Sequence, residues 1–152
     1  MSKLFEIVDY IAKEGQEVTR LATPEEEYVL DYVAIFCMSE GEKQLLENEI
    51  KQIGDVLEET STGKTYKLLV SHDTPAGPLN IIKLRNPDNT RPQRGEPDFR
   101  VKNYAEFKQK YLNLPEMKLI ERPDYEMLEL NNSEFDVLVY FPNKPLGIEL
   151  GL

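Results

Sequence analysis

Sulfur, imidazole and indole are nearly missing from this chain. Cys37 is the one cysteine in 152 residues, so no disulfide can form within the chain, and a reducing compartment is predicted. His72 is the one histidine, which excludes a multi-histidine metal site. Tryptophan is absent. No apolar run approaches the roughly 20 residues that span a bilayer. The opening residues, Met1 to Glu6, lack the basic start and continuous apolar core of a signal peptide. Positive charge is also scarce: 18 Lys and Arg stand against 28 Asp and Glu, a net charge of −10. Such a surplus opposes polyphosphate and anionic lipid alike. The expectation is a cytoplasmic protein that takes no nucleic acid and no membrane as partner.

Apolar residues make up 40% of the chain, enough for one core, and its 30% charged residues are too mixed in sign to keep it unfolded. The charge is uneven. Between Lys83 and Lys102 lie Lys83, Arg85, Arg91, Arg94, Arg100 and Lys102 against Asp88, Glu96 and Asp98, a local excess of +3. A basic zone on an acidic protein suits a small anionic ligand, and it equally suits a solvated rim of scattered charges.

Hydrophobic periodicity divides the chain. Leu4, Ile7, Val8 and Ile11 recur at helical spacing, with Gly15 as a predicted stop. Thr23 is placed to cap a short turn that has Pro24 at its first position. Residues 1–30 thus form an N-terminal helical extension. From residue 31 a pattern appears and then repeats. In 31–90 a strand at Tyr32–Cys37 precedes a helix with a possible capping box at Ser39 and Glu42. Strands at 56–60, 65–70 and 79–84 follow, with His72 in a loop. In 91–152 a strand at 97–101 precedes a helix capped by Asn103, then strands at 117–121, 125–130 and 135–141. Both halves read strand, helix, strand, strand, strand, although their residues differ. The fold class is therefore α+β. Two βαβββ modules form one curved mixed sheet in a single domain, with helices on the outer face. Val33, Ile35, Cys37, Phe99, Val101, Phe135, Val137, Val139 and Phe141 should face the helices. Tyr32, Asp98, Arg100, Tyr125, Asp136 and Tyr140 should face the other side and line a cleft.

Asp31-Tyr32-Val33-Ala34-Ile35-Phe36 resembles the first strand of the vicinal oxygen chelate superfamily, the glyoxalase and bleomycin-resistance fold. Pro78 to Leu84 is similar to that family's fourth strand, and Pro97 to Val101 to the strand that opens its second module. The resemblance covers about residues 31–142. It implies a ligand cleft with metal ligands on strands one, four, five and eight. Those positions hold Tyr32, Lys83 and Asp98, with Asp136, Leu138 or Tyr140 on the last strand. A lysine cation there opposes a divalent metal. The resemblance therefore implies a degenerate relative with no metal and no cofactor.

Other constellations carry less. Gly63-Lys64-Thr65 has Glu58 where a phosphate-binding loop needs its first glycine. Cys37 falls on the helix-covered face, where a thiol is inert, which argues against a Cys37–His72 pair. In the stretch between the modules, Arg91 and Arg94 either clamp an anion or pair with surface acids. Three functions follow. The leading one is a metal-free binder of a small anionic ligand. In it Lys83 and Arg100 hold the anion, Tyr32 and Tyr140 pack and hydrogen-bond, and Asp98 accepts. The second is a metal-dependent isomerase, lyase or dioxygenase, which needs Asp98 and a second carboxylate such as Glu129 or Asp136. The third is a protein-interaction module. A homodimer sharing strands and a cleft closed within one chain both remain open.

Overall fold

A computed structural model describes residues 2–152. Helix α1 spans Lys3–Ala22 and starts on Ser2, whose hydroxyl accepts from the Phe5 N–H. It does not stop at Gly15. Leu4, Ile7, Val8, Ile11, Ala12, Val18 and Thr19 keep one stripe buried through its whole length. Gly15 is instead a contact point, because a Cβ there would collide with the Pro97 ring. Thr23 closes this helix as its C-cap, its hydroxyl donating to the Thr19 carbonyl, and the expected short turn follows at Pro24 and Glu25, with the Thr23 carbonyl accepting from the Glu26 N–H. The helix is more than an appendage, since it lies against β1, β3, β5 and β8, defined below, and so bridges both modules.

The first module consists of β1 (Tyr28–Phe36), α2 (Glu40–Ile50), β2 (Gly54–Thr60), β3 (Gly63–Thr74) and β4 (Gly77–Arg85). The second consists of β5 (Gly95–Val101), α3 (Tyr104–Tyr111), β6 (Met117–Glu121), β7 (Glu126–Leu130) and β8 (Val139–Pro142), followed by the short helix α4 (Leu146–Glu149). The capping signals hold. Ser39 accepts from the Glu42 N–H, Glu42 accepts in return from the Met38 N–H, and Asn103 accepts from the Glu106 N–H. All eight strands form one sheet in the order β2-β3-β4-β1-β5-β8-β7-β6. Within each module the opening strand runs parallel to the closing one, and β1 and β5 pair antiparallel at the centre. The two halves are therefore related by a pseudo-twofold through that central pair. This is the paired βαβββ layout that the element order predicts. Because β1 and β5 pair within one chain, both modules shape the same sheet face.

Strand alternation separates two apolar layers. On the helix side lie Val33, Ile35, Ile82, Leu84, Phe99, Leu128, Val139 and Phe141, packed with Leu46 and Ile50 of α2 and Phe107 of α3. The Phe107 and Phe141 rings pack at a tilt of 46° with centroids 4.7 Å apart. Full burial of one such side chain contributes about 1.5–3 kcal/mol. On the opposite face a smaller layer joins Ala34, Phe36, Met127, Leu138 and Tyr140. Two local expectations fail. His72 lies within β3, not in a loop: it stacks on Phe5 at 3.8 Å and bonds Asp9 at 2.8 Å. The last strand is shorter than 135–141. Only Val137 bridges to Gly95 before β8 begins; 133–136 run as a turn and a bend, and Asp136 accepts from Tyr10 of α1. No helix among the described residues is long and apolar enough to cross a membrane.

Candidate functional site

The sheet face away from the helices holds a cleft of about 640 Å³. Register explains its contents. Tyr32 stands opposite Asp98, Ala34 is flanked by Glu96 and Lys83, and Asp98 is aligned with Tyr140. Tyr32, Lys83, Asp98 and Tyr140 are thus brought together, as their alternation predicts. Arg91, one of the two arginines expected either to clamp an anion or to pair with acids, lines the same cleft, as do Glu96 and Arg85, which the sequence does not single out as cleft residues. Glu96 was missed because strand five was started at Pro97. Its position two residues before Asp98 was the available signal, since residues two apart on a strand share a face.

Glu96 and Asp98 form the polar floor. Their residues are only 2% and 4% exposed. Glu96 Oε2 and Asp98 Oδ1 receive no hydrogen bond from a donor among the described residues. Buried carboxylate oxygens are rarely left so. Burial raises the Glu96 carboxyl well above the usual range, and the neighbouring Asp98 charge raises it further. Burial also lifts Asp98, to about 7, with the Asp31 charge adding to the rise and the bond to Glu96 opposing it. Near neutral pH the pair therefore holds one acid and one base. Burial keeps the Tyr32 and Tyr140 phenols protonated, and the adjacent carboxylates reinforce this.

One wall is cationic. Lys83 donates from Nζ to Thr62 Oγ1 at 2.8 Å, and burial followed by the nearby Arg85 lowers its pKa. Arg85 and Arg91 both lie over the Phe36 ring, 5.4 and 5.9 Å from its centroid. Arg91 also reaches the Tyr140 hydroxyl at 3.4 Å. No carboxylate lies within 4.0 Å of Lys83, Arg85 or Arg91 among the described residues. Beside them opens a second hollow, lined by Asn86, Asp88 and Pro92 and sharing Thr62, Arg85 and Arg91 with the cleft.

Arg100 and Asp136 depart from the sequence expectation, while Arg94 takes the second of its two alternatives and Cys37 and His72 stay apart as expected. Arg100 does not line the cleft. A bulge in β1 at Asp31 turns that carboxylate to Arg100, whose Nε donates to it at 2.6 Å. The Gly147 N–H donates to the same carboxylate, so the pair fastens the C-terminal turn. Arg94 is a structural arginine: it holds Glu42 through both nitrogens, at 3.0 and 2.8 Å. Asp136 faces the helix side, accepting from Tyr10 at 2.6 Å, and neither it nor Glu129 lines the cleft. The second carboxylate beside Asp98 is Glu96. Cys37, whose thiol burial pushes up to about 12, and His72, held by Asp9, form no pair.

The chemistry at the family's metal positions is unsuited to a cation. Tyr32 and Tyr140 are protonated phenols, Lys83 is an amine whose ordinary form is a cation, and only Asp98 is a carboxyl. Among the described residues no group of three His, Cys, Asp or Glu is placed to hold a metal.

No protein-family model matches the chain, and none of the curated proteins does. Among solved structures the chain is similar to one described as Structural Genomics, Protein EC4020. That likeness has 16% identity and a TM-score of 0.67 over 99% of this chain and 94% of that one. It is also similar to a glyoxalase/bleomycin resistance protein/dioxygenase superfamily member from Vibrio splendidus 12B01. Here the identity is 9% and the TM-score 0.46, over 76% of this chain and 97% of that one. At 16% identity the first likeness speaks of the fold alone, and it shows that the fold extends over nearly the whole chain.

Proposed function

We propose that this protein binds a small organic anion in the cleft, without a metal. The observation that carries this reading is the cationic wall: Lys83, Arg85 and Arg91 gather there with no carboxylate partner, on a protein of net charge −10. Gathered cations repel one another, and partial burial adds a desolvation cost. An anion relieves both. Glu58, Asp124 and Glu149 also line the cleft, as do Arg122 and Lys144, but none of these acids, nor Glu96 or Asp98, comes within 4.0 Å of Lys83, Arg85 or Arg91 among the described residues. Arginine forks match carboxylate and phosphate geometry. The anionic group of the ligand would face Arg85 and Arg91, and its uncharged polar part would meet Glu96, Asp98 and Tyr32. Asp98 has only protonated phenols and an amine at the positions where a metal would need donors, so no step is routed through one.

Melting temperature measured with pyruvate, 2-oxoglutarate, citrate and inorganic phosphate tests this. Binding to the native state alone raises it by mass action. At least one of these anions should raise the melting temperature, and Arg85→Ala and Arg91→Ala should each cut the rise by half or more. Added salt should weaken it. If none of the four shifts the wild-type protein, the reading is wrong.

A further inference from the structure

The cleft floor offers more than binding. Glu96 and Asp98 occupy successive cleft-facing positions of β5, both are nine-tenths buried or more, and each has an oxygen without a protein donor. Two carboxyls this close in a dry environment do not both ionise, so one is an acid while the other is a base. The cationic wall lies on the same cleft and fixes the end of the ligand at which negative charge sits. Ala34, Phe36 and Leu138 pack together on the same sheet face as the pair.

We propose that the pair moves protons on the bound anion: Asp98 takes a proton from carbon beside a carbonyl, and Glu96 gives one to the carbonyl oxygen. This rests on the binding reading above. The substrate class is a 2-oxo acid, whose carboxylate suits Arg85 and Arg91 and whose adjacent carbonyl and C–H suit the floor. The C–H bond breaks and its proton goes to the Asp98 carboxylate. Its electron pair forms the C=C bond, the carbonyl π pair moves onto oxygen, and that oxygen takes the Glu96 proton. The product is an enol, nothing is oxidised or reduced, and a proton passing from Asp98 to Glu96 restores the pair. General acid–base catalysis of this kind contributes about 10²–10⁴-fold.

The groups that face the pair set its pH dependence. Asp31 of β1 and Lys83 and Arg85 of β4 act on the pair directly, Tyr32 and Tyr140 stand beside it, and Glu58 of β2 with Arg91, Arg122, Asp124, Tyr125, Lys144 and Glu149 line the rest of the cleft. Base action fails when Asp98 is protonated, and acid action fails when Glu96 ionises. A bell-shaped profile follows.

The test is proton exchange in D₂O, followed by ¹H NMR of the C3 protons of pyruvate, 2-oxobutyrate and 2-oxoglutarate, with full-length protein and EDTA present. At least one acid should exchange well above the buffer rate, with a bell-shaped pH profile. Asp98→Asn and Glu96→Gln should each slow it about 100-fold or more. The same acid should still raise the melting temperature of both variants. Exchange that needs a metal, or that survives both substitutions, overturns the proposal. A melting shift without exchange overturns it and leaves the binding reading standing. No shift from any of the three overturns this proposal, and the binding reading then stands or falls on citrate and phosphate. Should a variant fail to fold, the wild-type profile decides, and exchange that is flat with pH counts against the pair.

Discussion

At the scale of single residues, the site turns on which arginines already have partners. Side-chain type does not distinguish Arg85, Arg91, Arg94 and Arg100, and all four fall in the basic window. Arg94 and Arg100 are committed to Glu42 and Asp31, while Arg85 and Arg91 lie on Phe36 without a carboxylate. Neither pairing was legible in the chain, because Glu42 and Asp31 are 52 and 69 residues away. A test follows for the clearest correction. The Asp31 side chain is fully buried, and Arg100 is its one charged partner. Arg100→Ala leaves that carboxylate with only the Gly147 N–H. Breaking a buried pair costs about 3–5 kcal/mol. Arg100 is itself partly open to solvent and Gly147 still donates, so the loss should fall toward or below the lower figure. Urea unfolding measures it. The melting increment produced by an anion should survive this substitution, which separates Arg100 from Arg85 and Arg91.

At the scale of elements, what was readable was what depends on neighbours in sequence. The Ser39 and Asn103 caps, the Gly63 turn and the alternation along β1 and β5 are local chemistry, and all appear in the fold. Features decided by distant contacts were misread. Gly15 is the best case, since a glycine after an apolar stripe reads as a stop. Its role is visible only once Pro97, 82 positions later, is laid against it. The short β8 has the same cause: Val137 and Val139 alternate as a strand should, but Asp136 is drawn to Tyr10 on α1. A direct check is available in Gly15→Ala. On propensity alone alanine should stabilise the helix by roughly 1 kcal/mol. The Cβ would meet the Pro97 ring, a rigid neighbour, and overpacking costs about 1–3 kcal/mol. The variant should therefore be less stable than wild type by thermal or urea unfolding. A gain in stability would show that α1 does not press on β5.

At the scale of the whole molecule, duplication makes a sheet face that neither module makes alone. The central antiparallel pair sets Asp98 opposite Tyr32 and Glu96 opposite Ala34, with Lys83 on the other side of Ala34, and one helix spans both modules. The layout was legible because element order repeats, whereas the buried acid pair was not, because burial is a property of the assembled sheet. That burial has a global consequence. Asp98 is raised from its ordinary range to about 7 in the folded chain. Between about pH 4 and 7 the folded state then binds more protons than the unfolded one. Stability contributed by this group is complete below about pH 4 and falls as pH rises toward the folded value. Asparagine at 98 carries no such charge, so Asp98→Asn should remove the loss. The variant should melt several degrees above wild type at pH 8, and the gap should close toward pH 4. Removing one negative charge from an acidic protein also lessens general repulsion, so exposed Glu134→Gln serves as the control and should show little gap at either pH. Melting curves of the three proteins at pH 4, 6 and 8 decide the matter. A gap for Asp98→Asn that does not change with pH, or that matches Glu134→Gln, would mean that Asp98 ionises freely in the folded chain. The acid–base pair on the cleft floor would then lose its physical basis.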